Sequence, residues 1–207
     1  MNVTKITEKY VAEHPAIMDC LKIGLINYSE LSRQICAEHG IKKFQASLIA
    51  CRRYYLKIRS QELHEKEIIR LIRGAKLKIR NKIIVAIIDK PREMEPIYSL
   101  QRAIKKKRGD FNMIEGEDTV TIVTNSENAE DVKMKFNLRL IKLSSGLVQI
   151  TMVFDRKIET TSGVVSYIYS LLSDNGINIL EEMSCWTDIM VIIDENDLAR
   201  AMKVLSA

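Results

Sequence analysis

Apolar residues recur at three- and four-residue spacing through the first 75 positions and then shift to alternation, which predicts a helical segment followed by a mixed one. A first helix is expected over Thr4–His14, with Ile6, Tyr10 and Val11 on one face. Pro15 suits the first turn of a second helix running to Ile23, with Gly24 ending it. Leu31, Ile35 and Cys36 mark a third helix, for which Asn27 or Ser29 can cap the N-terminus and Gly40 can close the C-terminus. A fourth helix is expected over Phe44–Ile58. Residues 60–75, beginning Ser60-Gln61-Glu62-Leu63-His64-Glu65, read as a charged helical connector rather than a flexible linker.

Beyond Lys76 the pattern predicts strands at Lys78–Arg80 and Ile83–Ile88, a helix over Glu93–Lys107, and strands at Phe111–Ile114 and Thr119–Thr124. A helix over Ala129–Phe136 and a half-buried strand at Leu138–Leu143 complete a first set. A second set follows: Leu147–Phe154 (strand), Val164–Ser173 (helix), Ile177–Met183 and Ile189–Ile193 (strands), and Asp197–Leu205 (helix). Ile97-Tyr98-Ser99-Leu100 recurs as Ile168-Tyr169-Ser170-Leu171, 71 positions on. The repeated order implies a duplicated βαββαβ unit, an antiparallel sheet with two helices on one face. The second copy lacks its last strand. Leu138–Leu143 or a strand from another subunit is expected to fill that place, because an unfilled edge leaves backbone groups unpaired.

Charge divides along the same line. Residues 1–110 hold 24 Lys and Arg against 12 Asp and Glu, whereas residues 111–207 hold 8 against 15. The basic half could meet nucleic acid and the acidic half would not, although a solvated basic surface gives the same count. Cys20, Cys36, Cys51 and Cys185 have no metal-ligand spacing, and the first three fall in apolar helical patterns that suit buried free thiols. His14, His39 and His64 are scattered, so no metal or cofactor is expected. The apolar runs are too short to span a membrane, and Met1–Thr7 has no leader pattern, so a cytoplasmic address with no membrane partner is expected.

Candidate chemistry gathers in the second copy. Thr160-Thr161-Ser162-Gly163-Val164-Val165-Ser166 opens a helix whose first N–H groups have no partner within it, and whose dipole favours a carboxylate. Leu172-Ser173-Asp174-Asn175-Gly176-Ile177-Asn178-Ile179 closes that helix and enters the next strand. With Val191-Ile192-Ile193-Asp194-Glu195 and Asp197-Leu198-Ala199-Arg200-Ala201, these segments resemble the ACT domains of aspartate kinases over about 60 residues. The resemblance implies an amino-acid effector held by Thr161, Ser162, Gly163, Val164, Asn178 and Ile179, between the loop of one copy and the strand of another. It also implies a homodimer through these domains. The first copy resembles the family in element order only; Pro91-Arg92-Glu93-Met94-Glu95-Pro96 lacks the loop glycine.

The N-terminal run Gly24-Leu25-Ile26-Asn27-Tyr28-Ser29-Glu30-Leu31-Ser32-Arg33-Gln34-Ile35 is similar to the entry of a helix-turn-helix. On that likeness Phe44–Ile58 would be the recognition helix, with Lys42, Lys43, Arg52 and Arg53 on phosphates and Gln45 and Ser47 near base edges. Lys105-Lys106-Lys107-Arg108 has a structural explanation at a helix C-terminus. The expected class is therefore α+β: a helical (winged) helix-turn-helix domain at 1–60, a connector at 61–75, and ferredoxin-like ACT-type units at 76–145 and 146–207. This order is similar to archaeal predicted regulators of amino-acid metabolism. It implies an amino-acid-responsive transcriptional regulator acting on DNA, or alternatively a free-standing ACT subunit that controls a biosynthetic enzyme. No catalytic motif is present, and an enzyme is not expected.

Overall fold

The computed structural model describes residues 2–58 and 62–206, which fall into two compact units, Met1–Ile69 and Arg70–Ala207. Helices α1 (Val3–Glu13), α2 (Pro15–Lys22), α3 (Tyr28–Glu38) and α4 (Phe44–Ile58) build the first unit. The Asn27 side chain accepts the Ser29 and Glu30 N–H groups at 3.0 and 3.2 Å, capping α3 as its sequence requires. Tyr10, Val11, Leu21, Leu31, Ile35, Ile41, Cys51 and Ile58 form the core between these helices. Helix α5 (Glu62–Gly74) runs across the division between the units; Ser60 and Gln61 of the expected connector lie outside the described residues. Among the described residues this unit contains no strand, so the expected wing is absent. Of the three cysteines expected to be buried here, only Cys51 is; Cys20 is exposed and Cys36 half-buried.

The second unit is one six-stranded antiparallel sheet in the order β2-β3-β1-β4-β6-β5. Its strands are β1 (Lys76–Asp89), β2 (Phe111–Glu115), β3 (Thr119–Asn125), β4 (Leu140–Val153), β5 (Glu181–Cys185) and β6 (Asp188–Asp194). Helices α6 (Glu95–Lys106), α7 (Ala129–Phe136) and α8 (Val164–Ser173) lie between them in sequence, and α9 (Leu198–Leu205) follows β6. Two strand pairs expected to be separate are thus continuous: Lys78–Arg80 joins Ile83–Ile88 in β1, and Leu138–Leu143 largely joins Leu147–Phe154 in β4. The expected division at 145/146 falls inside β4.

These two 14-residue strands are shared between the duplicated halves. Ile83–Asp89 of β1 pairs with β3; on its other edge Val85, Ala86, Ile87 and Ile88 pair with the first half of β4, and Ile83 pairs with Leu147. Lys76–Arg80 pairs instead with Gln149–Val153, whose other edge is paired to β6. The strand missing from the second copy is therefore Lys76–Arg80 of the same chain, while Leu140–Leu143 closes the first copy. This corrects the expectation that Leu138–Leu143 or another subunit fills the gap, and it removes the missing strand as a reason to dimerise. The equivalent strands β3 and β6 stand 69 positions apart, so the four-letter match at 71 is not in structural register.

Residue alternation places two kinds of neighbour on the sheet's faces. On one face Ala86, Ile88, Val120 and Ile122 pack with Ile97, Leu100 and Ile104 of α6 and with Val132 and Phe136 of α7. The second half buries Val148, Ile150, Met152, Ile189, Val191 and Ile193 on the corresponding face, while α8 contributes buried Val164, Ile168 and Leu172. On the opposite face Ile83, Val85 and Val123 of the first half join Leu147 and Ile192 of the second in one cluster, with Leu180 and Met183 against it. The marginal strands β2 and β5 both line a cavity of about 490 Å³, so the sheet is rolled rather than flat. The register shifts beside Lys82 (φ 56°) and near Gly146 (φ 70°) mark where the long strands depart from regular pairing.

Candidate effector-binding site

The loop ahead of α8 is held by its own backbone. Asp155 caps a short 3-10 turn, Arg156–Glu159, by accepting the Lys157 N–H at 3.0 Å. The Lys157 carbonyl is then the common acceptor for the N–H and hydroxyl groups of both Thr160 and Thr161. Gly163 follows at φ 87°, ψ −4°, a left-handed conformation that glycine adopts without a Cβ penalty, and it serves as the N-cap of α8.

Of the six residues assigned to the effector, four lie at this end of α8. Thr161 is buried with its hydroxyl donated to Lys157, and the Val164 side chain is in the core, so neither side chain faces a ligand. Ser162 and Gly163 are exposed. Asn178 and Ile179 lie at the other end. Asn175 donates its side-chain amide to the Leu171 carbonyl, Gly176 turns the chain, and the Ile177 N–H returns to Leu172. A ten-residue helix is about 15 Å long, so within one chain the loop and Asn178 do not share a ligand.

Between them runs a groove of about 790 Å³ along the outer face of α8 and the free edge of the sheet. Val165, Ser166, Tyr169, Ser170 and Ser173 form its helical wall; Ile177, Asn178, Ile179, Leu180, Glu181 and Glu182 form the other. The expected strand at Ile177–Met183 begins in regular pairing only at Glu181, because its first residues serve this groove after the helix turn. Burial raises the Tyr169 phenol above its ordinary range, and the neighbouring Glu182 carboxylate adds to the effect.

Glu181 lies on the opposite face of β5 from Glu182, and burial raises its carboxyl pKa while Lys142 opposes the shift. The folded state therefore holds this proton more tightly than the unfolded chain does. Its ionisation costs stability once pH exceeds the folded value, and the cost vanishes below the unfolded value of about 4.3. Glu181→Gln is accordingly expected to raise the melting temperature at about pH 7.5 and to leave it unchanged near pH 4, measured by calorimetry at both.

Residues 142–207 match the family model described as ACT domain. The last third of the chain thus has an ACT-type fold, as the loop and turn residues imply. No curated protein sequence matches the chain. Among solved structures it is similar to the aspartate kinase of Clostridium acetobutylicum, at a TM-score of 0.54 and 15% identity over 63% of this chain and 33% of that one. It is also similar to a chain of aspartokinase alpha and beta subunits, at 0.50 and 16% identity over 62% of this chain and 93% of that one. The chain spans about a third of the Clostridium kinase, and at these identities the likeness is one of fold.

In the first unit the residues assigned to nucleic acid divide differently. Lys42, Lys43, Gln45, Arg52 and Arg53 are exposed on or beside α4. Ser47 is fully buried beside Cys51, whose thiol burial pushes up, and it reaches no base edge. Ile49 and Leu56, which the sequence places among the apolar positions of this helix, are 49% and 55% exposed on it, and Arg156, Glu159 and Trp186, which the sequence pattern does not single out, lie near the Thr160–Gly163 loop. Trp186 could have been flagged by its place between two short strand patterns, where a turn residue was due.

Proposed function

We propose that the protein is an amino-acid-responsive regulator whose effector lies at the ends of the α8 groove, in a site completed by a second copy. The carrying observation is the placement of the Ser162-Gly163 loop and Asn178 at opposite ends of α8, with an open groove between. A twofold axis through the middle of α8 would bring the loop of one copy beside Asn178 and Ile179 of the other. The small exposed side chains of Ser166 and Ser170 permit close approach, and Val165 and Tyr169 gain cover. The α8 N-terminus would take the carboxylate, and the Asn178 amide the remaining polar groups, with Thr161 and Val164 holding the loop's shape.

The first unit is the output module. Exposed Ile49 and Leu56 among basic residues on α4 fit the docking of a protein, hence control of a biosynthetic enzyme. The aspartokinase subunit matched over 93% of its length supports the same reading, since a pair of such units can make up almost an entire subunit. DNA contact is the second reading, favoured by exposed Lys42, Lys43, Arg52 and Arg53. Retention on duplex DNA at about 50 mM salt, falling steeply by about 200 mM, would establish it; no retention at low salt would discard it.

Sensing is tested by a thermal-shift screen of the twenty amino acids. A ligand that binds only the folded state must raise the melting temperature, by about 2.7 kcal/mol of stability at a hundredfold excess over its Kd. A rise with one amino acid or a small related set is expected. No rise with any at about millimolar concentration would sink the proposal. Sedimentation of the full chain should give a dimer.

A further inference from the structure

The hairpin joining β5 to β6 turns through Trp186 and Thr187. Trp186 sits at φ 53°, where two-residue hairpin turns ordinarily carry Gly, Asn or Asp, and where a bulky side chain is a rare outlier. It is 62% exposed, so core packing does not explain its presence. Its side chain is nevertheless held. The indole N–H donates to Glu159 Oε1 at 2.8 Å, and the Arg156 guanidinium lies 5.1 Å from the ring centroid, within cation–π range. The adjoining Thr187 carbonyl accepts the Phe154 N–H at 2.9 Å. Both side-chain partners belong to the 3-10 turn that leads directly into the effector loop, with Glu159 four residues before Gly163.

We infer that Trp186 is a positioning residue for the effector loop: its latch on Glu159 and Arg156 fixes the Arg156–Glu159 turn, and through it Thr160–Gly163. The far end of that segment is anchored by Val164 in the core and the near end by the β4–β6 ladder. The latch grips its middle from outside the segment, adding to the local bonds that Asp155 and the Lys157 carbonyl accept there. The two contacts of its side chain offset a backbone conformation unfavourable to tryptophan. The inference rests on the effector site proposed above for its purpose, but not for its test.

Amide hydrogen exchange on the full chain decides it. Trp186→Phe keeps the ring and removes the donor; Glu159→Ala removes the acceptor; Glu159→Gln restores one. Exchange across residues 156–163 is expected to rise about 3- to 10-fold in each of the first two variants, the scale of one exposed hydrogen bond. It should rise no further when they are combined, because both remove the same bond. Glu159→Gln should stay within about twofold of the native chain, and β4 and β6 core amides should be unchanged in all four, which shows that the variants fold. Unchanged exchange over 156–163 in Trp186→Phe, or full additivity in the double variant, overturns the latch. A failed amino-acid screen would remove the effector reading and leave this result standing, so the two are distinguished.

Discussion

A fragment of residues 142–207, the stretch that carries the ACT-type match, is expected not to fold alone, whereas residues 70–207 should unfold in one cooperative transition. The fragment lacks Lys76–Arg80, the strand that pairs with Gln149–Val153. Without it one edge of β4 loses five residue pairings, and Ile150 and Met152 lose Ile79 and Leu77 opposite them. The helix-free face loses Ile83, Val85 and Val123 from the cluster that covers Leu147 and Ile192. Removing a single large core side chain costs about 2–5 kcal/mol, against a total stability of about 5–15 kcal/mol for a domain. Losing three such neighbours and a strand exceeds that margin, and a chain of this length has little reserve. Circular dichroism melts and amide proton dispersion of the two fragments check the expectation. A cooperative melt of 142–207 would mean that the shared strand is dispensable.

The topology behind this expectation was the least legible part of the sequence. Local elements were readable where one residue type decides them: Asn27 caps α3, and the apolar spacing of Phe44–Ile58, Ala129–Phe136 and Val164–Ser173 matches α4, α7 and α8. The long strands were not. Around Asn81-Lys82 and Ser145-Gly146 the apolar alternation stops and turn-like residues intervene, so each strand reads as two. In the structure the chain changes register there and the strand goes on. Which strand fills the place beside Gln149–Val153 is a long-range choice that no local pattern encodes. The site was half legible for a similar reason. Gly163 and Asn178 are visible as a helix entry and exit, but their separation by the length of α8 follows from the fold. That Thr161 and Val164 turn inward follows from hydrogen bonding and burial. Ser47 faces inward because its turn of α4 packs on α3 beside Cys51, which helical spacing alone does not distinguish from an outward position.

Ile192→Ala is expected to destabilise the second unit by about 3 kcal/mol, lowering its melting temperature by roughly 10 °C, as for a fully buried isoleucine truncated in a packed core. The more telling expectation concerns where the loss is felt. Ile192 lies in β6, yet its cluster joins Leu147 of β4 to Ile83 and Val85 of β1 and Val123 of β3. Hydrogen exchange in β2 and β3 should therefore accelerate together with that in β5 and β6, since one cooperative opening exposes both halves. If only β5 and β6 respond, the halves are independent and a ligand held by one has no packed route to the other. The cluster also touches the α8 groove: Leu180 lines the groove and packs against the cluster. A ligand that shifts Leu180 thus presses on side chains from both halves at once. Because close-packed interiors transmit small displacements rather than absorb them, under the proposed function this cluster would be the packed route from the groove to β1, and the Ile192→Ala exchange pattern measures whether that route is continuous.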